Sequence, residues 1–430
     1  MIASQNTFIK IPTIILFTLT VILFVFASCA QLDESIIPYD PPGATTETRE
    51  TIPQHKRIIG AGSPKVFIHN NFDGARFNDF YHIAGDTFAV VIAPENAPIN
   101  NSAWYAFHIT TEEARQITLR FKTENGRHRY HPKLRFHPEG EWVKADSSAY
   151  RPGPSQNTAE LDLFLDEAGI TVSAQELINV AEMTEWISYW DSYSYLQTGT
   201  VGYSHEGRPV PYFYLSESPD NEHLIFIFGR QHPPEVPGTL AMKAFIERML
   251  EDDHLARNFR SVATVIGFPL MNPDGVYHGH WRHNAGGVDL NRDWRDFHQP
   301  ETRAVRDHIL DVMENPDARI YYGLDFHSTS YDVFFSVDRS LPSWPENFAD
   351  NWLDGIRLRL PDYELRDDPF GVAPPIVKNW LYNTFQAGGV TYEVGDTTDR
   401  DLLKAVARAA AASLMEEVLE VYKNEFGGEF

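Results

Sequence analysis

Short runs of alternating hydrophobic and polar residues occupy the chain from about Val66 to Leu165. Examples are TFAVVIA, AWYAFHI, QITLRFK and LRFHPEG, which are separated by Asn, Gly and Pro residues. A period of two residues is typical of strands that bury one face, and its regular recurrence indicates packed antiparallel strands. We therefore predict an antiparallel β-sandwich domain over residues 59–170.

The pattern changes after about Ser173, where strongly apolar segments alternate with segments of helical character. The predicted strands are Leu224–Gly229, Ser261–Leu270, Ile320–Phe326 and Val390–Asp396. The predicted helices lie near Thr239–Leu250, Glu301–Met313 and Asp399–Lys423. This order predicts an α/β domain over residues 171–430, with a mixed, largely parallel sheet flanked by helices. In such sheets, ligands bind at the carboxyl ends of the strands.

The N-terminal region carries an apolar run, IPTIILFTLTVILFVFAS, between Lys10 and Cys29. A positive residue, an apolar segment and a small-residue end are the parts of a secretory signal. The ending FASC resembles a bacterial lipobox, so residues 1–28 are predicted to be a lipoprotein signal peptide and Cys29 the lipidated residue. The Pro-containing residues 29–58 are predicted to be a flexible tether. The alternative is a transmembrane anchor, because 18 apolar residues can just span a bilayer.

Both interpretations predict an exported protein held at a membrane, in a bacterial periplasm or at the cell surface. The formal net charge of -24 argues against nucleic acid as a partner, because phosphate binding needs a basic surface. The single cysteine excludes an intrachain disulfide.

Ionisable residues gather where the predicted strands of the α/β domain end. His232 and Glu235 form an HxxE motif after LIFIFG, and His327 follows IYYGLDF. Two histidines and one carboxylate are a ligand set of catalytic zinc, which keeps one position open for water. A second HxxE, His298 with Glu301, follows no apolar strand, and we interpret it as the start of a helix.

The motifs VGYSHEGRP, HPPE, NPDGV, WR, VDLNRDW, LDFHS and TYEVGD follow one another between Val201 and Asp396. In this order they resemble the M14 zinc carboxypeptidases. The preceding region, with NFDGARF and SAWYAFHI, is similar to the sandwich that precedes the peptidase domain in the cytosolic carboxypeptidase branch. The resemblance implies a carboxypeptidase-like α/β domain after an antiparallel β-sandwich.

The resemblance also implies the roles of residues around one zinc ion. His232, Glu235 and His327 would be the zinc ligands. Asp289, in VDLNR, would orient the first histidine from outside the ligand shell. Glu393, in TYEVGD, would be the general base for attack by zinc-bound water. Glu393 stands in an apolar strand, where an unpaired carboxylate would destabilise the fold, and this favours a catalytic role over a structural one.

Further matched residues imply substrate contacts. Arg282, in WR, would stabilise the oxyanion. Asn291 and Arg292 would hold the terminal carboxylate, for which a planar guanidinium is well suited. Lys378 matches the position that selects the terminal side chain and would favour an acidic residue. The alternative is that Lys378 is a solvated lysine on a helix.

One tyrosine of the digestive-type members has no evident equivalent. Counting back from Asn379-Trp380 leads to Phe370 and Gly371, and a Phe cannot donate a hydrogen bond. Either another tyrosine, such as Tyr382, replaces it, or the chain functions without it.

The sequence therefore predicts a zinc-dependent metallocarboxypeptidase that trims C-terminal residues from peptides or peptidoglycan stem peptides. One alternative is an amino-acid deacylase of the aspartoacylase-like type, which shares the HxxE and a distant histidine. The other is a catalytically silent lipoprotein that binds peptides.

Overall fold

The computed structural model describes residues 50–97, 99–218 and 222–427. The predicted signal peptide, Cys29 and most of the predicted tether lie outside these residues. Within the described ranges, none of the helices combines the length and the apolar character that a membrane span requires.

Two sheets occupy residues 58–173 and form the predicted β-sandwich. In order across each sheet, the strands run β1-β2-β5-β11-β7-β8 and β3-β4-β6-β10-β9. Neighbouring strands are antiparallel except β4 and β6, which are parallel. The strands are β1 (Ile58–Ala61), β2 (Val66–His69), β3 (Asp79–Ala84), β4 (Thr87–Ile92), β5 (Ala106–Thr111), β6 (Arg115–Thr123), β7 (Lys133–Arg135), β8 (Val143–Lys144), β9 (Tyr150–Pro152), β10 (Thr158–Leu165) and β11 (Ile170–Ser173).

Alternating burial along these strands explains why the two sheets pack together. In β10, the buried residues are Ala159, Leu161, Leu163 and Leu165, while the residues between them are more exposed. Phe107 of one sheet contacts Phe121 of the other, with ring centroids 6.4 Å apart. The sequence pattern with a period of two residues therefore marks the inner faces of the sandwich.

A seven-stranded mixed sheet follows, in the order β12-β13-β15-β14-β16-β18-β17. Its four central strands, β15, β14, β16 and β18, are parallel, and the strands at both edges are antiparallel. The central strands are buried on both faces, which explains their continuous apolar sequences. The strands are β12 (Leu196–Tyr203), β13 (Pro209–Leu215), β14 (His223–Gly229), β15 (Thr264–Phe268), β16 (Arg319–Thr329), β17 (Val333–Ser336) and β18 (Gly389–Gly395).

Helices flank this sheet, as predicted, and one predicted strand is shorter than expected. Residues Ser261 and Val262 end a helix, and β15 begins only at Thr264. Asp253 caps that helix by accepting a hydrogen bond from the Ala256 backbone. The helices are α1 (Val180–Ser188), α2 (Val236–Met249), α3 (His254–Val262), α4 (Pro273–His278), α5 (Pro300–Val312), α6 (Phe348–Arg359), α7 (Val377–Phe385) and α8 (Arg400–Phe426).

The sandwich and the mixed sheet share one hydrophobic core. One buried cluster contains Phe107 of the sandwich, Phe326 of β16 and Trp281, which lies between α4 and α5. Helix α2 packs on β16 through Phe245 and Phe326, and it approaches the strand so closely that a Cβ atom at Gly238 would lie 2.4 Å from the His327 carbonyl oxygen. This packing fixes the strand end that carries His327.

Candidate metal centre

Three predicted ligands meet at the carboxyl ends of β14 and β16. His232 and Glu235 lie on the turn between β14 and α2, and His327 lies within β16. The Nδ1 atom of His327 is 2.6 Å from Glu235 Oε2 and 3.1 Å from His232 Nδ1. Glu235 Oε1 is 2.9 Å from His232 Nδ1. All three side chains are buried, and one potential ligand atom of each lies within 4.8 Å of the other two.

The outer nitrogens of both histidines show that this donor set fits a cation. His232 Nε2 lies 2.8 Å from Asp289 Oδ1, and His327 Nε2 lies 2.7 Å from Asp325 Oδ2. An N–H at each Nε2 donates to its carboxylate, which leaves a lone pair on each Nδ1. Two such lone pairs facing each other across 3.1 Å repel unless a proton or a metal cation lies between them. Two imidazole nitrogens and one carboxylate suit zinc.

The carboxylates of the centre are held ionised by their neighbours. Burial would raise the pKa of Glu235, but His232 and His327 lower it well below its usual range. For Asp289, burial opposes ionisation, while Arg282 and His232 bring its pKa well below the usual value.

Glu393 lies beside the metal centre, on the strand next to the one that carries His327. Strand pairing places Glu393 of β18 opposite His327 of β16. Among the described residues, nothing bonds its Oε2 atom, which is shielded from solvent. Burial and the charge of Glu235 raise the pKa of Glu393 to about 7. The carboxyl group is thus placed to exchange a proton with a molecule at the metal centre.

Arg282 is buried between two carboxylates of the centre. Its Nε donates to Asp289 Oδ2 over 2.6 Å, and its Nη1 is 3.8 Å from Glu235 Oε1. Both contacts are with groups that themselves touch His232, so the guanidinium is fixed next to the metal ligands.

Asn291 and Arg292 reach the same site through a short 3-10 turn at Leu290–Arg292. The Asn291 side-chain Nδ2 donates to Asp325 Oδ2 over 3.1 Å, and its side-chain Oδ1 accepts from the Val377 backbone N–H over 3.1 Å. Arg292 is half-buried and donates to the backbone carbonyl of Asn291. Their role towards a substrate stays a prediction.

Lys378 is not a solvated lysine, because only 1% of it is exposed. Its Nζ donates to the Ser336 carbonyl over 3.0 Å and lies 3.7 Å from the centre of the Phe370 ring. Burial lowers its pKa to about 7.

Tyr382 was the candidate to replace the tyrosine of the digestive-type members. Its hydroxyl donates a hydrogen bond to the Pro342 carbonyl.

The second HxxE motif does not bring its two residues together. His298 is exposed, whereas Glu301 is buried at the start of α5 and accepts from Asn284. This agrees with the prediction that the motif marks a helix start.

Two carboxylates of the site were missed by the sequence analysis. Asp325 stands in the apolar segment IYYGLDF, the same signal that pointed to Glu393. Glu95, which accepts a hydrogen bond from the Arg282 backbone, lies in a loop of the sandwich, and nothing in its sequence context distinguishes it from a surface glutamate.

Comparisons with known proteins agree with this geometry. The family model described as zinc carboxypeptidase (Peptidase_M14) matches residues 183–426. Cytosolic carboxypeptidase 6 of Caenorhabditis elegans is 30% identical over 203 residues, which are 44% of this chain and 44% of that protein. The chain thus spans less than half the length of this curated relative.

Two solved structures share the fold over most of this chain. A metallo-carboxypeptidase from Burkholderia cenocepacia superposes with a TM-score of 0.69 at 19% identity, covering 83% of this chain and 99% of that one. A metallo-carboxypeptidase from Pseudomonas aeruginosa gives 0.65 at 18% identity, covering 82% and 99%. With a family match over more than half of its length and a donor set that fits zinc, this chain belongs to the M14 zinc carboxypeptidase family.

Proposed function

We propose that this chain is a zinc-dependent carboxypeptidase that removes residues from the C-terminus of peptides. The observation that carries the proposal is the placement of Glu393 opposite His327, beside the three converging ligands His232, Glu235 and His327. A metal centre with a carboxyl group at its side is suited to hydrolysis of an amide bond by water.

Zinc bound by these ligands would supply a Lewis acid for the scissile carbonyl and for water. Glu393 would take a proton from the attacking water and return it to the leaving amine as the C–N bond breaks. Arg282 would donate from its Nη atoms to the oxygen that becomes negative, because its Nε is already bound to Asp289. Arg292, which is half-buried, would hold the terminal carboxylate of the substrate.

Lys378 supports a finer proposal about the substrate. If the bound substrate reaches this buried ammonium group, peptides that end in an acidic residue would be favoured, because a carboxylate would satisfy its charge. We further propose export and attachment through Cys29, which would direct the activity to peptides or peptidoglycan stem peptides outside the cytoplasm.

The substitution Glu393→Gln tests the proposed reaction. It keeps the shape of the side chain but cannot accept the proton, so we expect kcat to fall by about 10²–10⁴-fold with zinc still bound. The measurement is stepwise loss of C-terminal residues from defined peptides by mass spectrometry, together with zinc content.

Glu417→Gln is the matched control, because Glu417 lies on α8 and accepts from Asn351 of α6. It should trim peptides as the unsubstituted protein does. If the unsubstituted, zinc-loaded protein trims no peptide but hydrolyses acyl-amino acids, the result would contradict the proposal and favour a deacylase. Peptide binding without turnover would favour a binding protein.

A further inference from the structure

A carboxylate from the β-sandwich holds the backbone of the segment that carries Arg282. Glu95 Oε1 accepts hydrogen bonds from the backbone N–H groups of Arg282, over 3.0 Å, and His283, over 2.8 Å. Glu95 Oε2 accepts from the Trp281 N–H over 2.7 Å. Three successive N–H groups that converge on one carboxylate form an anion-binding nest.

Glu95 lies in the loop after β4 and is fully buried. Burial would raise its pKa, but nearby His280, His283 and Arg76 lower it below the usual value, so the group stays ionised. Removing this carboxylate would leave three buried N–H groups without their acceptor.

The next residue of the same loop adds a second contact. Asn96 Oδ1 lies 2.7 Å from His283 Nδ1, within hydrogen-bond distance. Glu95 and Asn96 together therefore fix the segment Trp281–His283 from the sandwich side, while Asp289 fixes the Arg282 side chain from the other side.

We propose that Glu95 is a positioning residue, which acts through Arg282 and sets the place of its guanidinium beside the zinc ligands. This inference rests on the proposed function, in which Arg282 binds the developing oxyanion. A donor that is displaced by a fraction of an ångström still binds the ground state but stabilises the transition state less. The sandwich thereby contributes to turnover without touching the substrate.

Glu176 provides the comparison that separates positioning from general support. It is another largely buried carboxylate, and it bonds Arg400 of α8 over 2.9 Å and Lys133 of the sandwich over 3.1 Å. Its bonds are made away from the segment Trp281–His283. Glu176→Gln therefore loosens the packing of the sandwich against α8 and leaves the nest of Glu95 intact.

The first test compares kinetics of zinc-loaded Glu95→Gln and Glu176→Gln on one peptide. An amide at position 95 loses the charge and turns a donor towards the N–H groups. We expect kcat of Glu95→Gln to fall by about 10–100-fold, with KM and zinc content little changed, because a transition-state contact is weakened. Glu176→Gln should keep kcat within about twofold.

A double-mutant cycle tests whether the effect passes through Arg282. The double variant should have a kcat within about twofold of that of Arg282→Met alone, because the group that Glu95 positions is already absent. Additive losses would overturn the proposal. If Glu95→Gln does not fold, Glu95→Asp keeps the charge and withdraws the carboxylate, and it should show a smaller loss of kcat with zinc bound.

A second readout does not depend on activity. In zinc-loaded protein with isotope-labelled arginine, the Nε–H signal of Arg282, assigned with Arg282→Lys, reports its bond to Asp289. We expect this signal to shift in Glu95→Gln and to stay in place in Glu176→Gln. An unmoved signal would overturn the positioning role. A shifted signal in a protein that trims no peptide would sustain positioning while the proposed function fails.

Discussion

At the scale of single residues, the buried ammonium group of Lys378 gives the proposed acid preference a pH dependence. Its pKa of about 7 means that the group is cationic below neutral pH and loses its charge above it. An acidic terminal residue is attracted only by the cationic form. We expect the ratio of kcat/KM for Glu-ended over Ala-ended peptides to fall about tenfold from pH 6 to pH 8.5.

The matched variant for this test is Lys378→Met, which keeps much of the side-chain volume. Its ratio should be low and independent of pH. A ratio that changes equally with pH in both proteins would rule out Lys378 as the selector.

Asp289 is the residue through which ligand orientation can be tested. Its Oδ1 atom faces His232 Nε2 and its Oδ2 atom accepts from Arg282. Asp289→Asn removes the charge and one acceptor, so we expect zinc affinity to fall about 10–100-fold. Competition with a coloured chelator measures this loss. Asp293→Asn, on a buried carboxylate that accepts from the His298 and Gln299 backbones, should keep its zinc affinity.

The site residues differ in how far the sequence could reveal them. His232 and Glu235 are three residues apart on one turn, and this spacing suggested a common ion only in combination with the apolar strand that precedes it. His327 comes from a strand 95 residues from His232, and only the succession of strand ends connected them. Glu95 bonds a backbone 186 residues away, and a contact with peptide N–H groups places no demand on the residue types of the partner.

At the scale of elements, the contact between α2 and β16 depends on the absence of a side chain at Gly238. An alanine would favour the helix, but its Cβ would lie 2.4 Å from the His327 carbonyl oxygen. Because the Cβ position is fixed by the helix backbone and the oxygen belongs to the strand backbone, the helix must move away from the strand. We expect Gly238→Ala to cost about 2 kcal/mol of unfolding free energy and to weaken zinc binding.

Gly355→Ala is the control for this prediction, because its Cβ would meet the Ser413 side chain between α6 and α8, away from the zinc ligands. Urea unfolding and zinc titration measure both properties. Equal zinc affinities of the two variants would show that the approach of α2 does not fix His327.

The type of most elements followed from hydrophobic periodicity, whereas their ends depended on individual side chains. The strand predicted at Ser261–Leu270 was wrong in its first residues, because Asp253 starts a helix that continues to Val262. Apolar residues such as Val262 fit a buried helix as well as a buried strand, so periodicity could not place this boundary.

At the scale of the whole molecule, the ion pair of Glu176 with Arg400 ties the segment after the sandwich to α8. Burial would raise the pKa of Glu176, but its bonds to Arg400 lower it to about 2. The folded pKa is thus below the unfolded value, so the stabilisation is present above about pH 4.5 and is lost as the pH falls towards 2.

Urea unfolding of the unsubstituted protein and Glu176→Gln tests this linkage. The difference in unfolding free energy should be about 2 kcal/mol at neutral pH and about 1 kcal/mol smaller at pH 3.5. Asp354→Asn, which removes an exposed partner of Arg357, should change the free energy of unfolding by less than about 0.5 kcal/mol. A difference for Glu176→Gln that does not depend on pH would show that its pKa is not lowered by folding.

The two sequence patterns predicted a sandwich and an α/β sheet, and the structure contains both. They could not predict that the two regions share a core, because a buried face has the same pattern whichever surface covers it. The contacts that the sandwich makes around Arg282 therefore form only when the two regions pack together, and neither sequence pattern predicts them.

The pairing of β14 with β16 also determines the stage of folding at which the complete zinc site exists. Glu235 and His232 meet His327 only after these strands have joined, and this closes a long stretch of chain. We therefore expect zinc to bind mainly after these strands have joined, so that its removal raises the unfolding rate more than it lowers the folding rate. Loss of the metal should therefore shorten the lifetime of the folded molecule more than it slows folding.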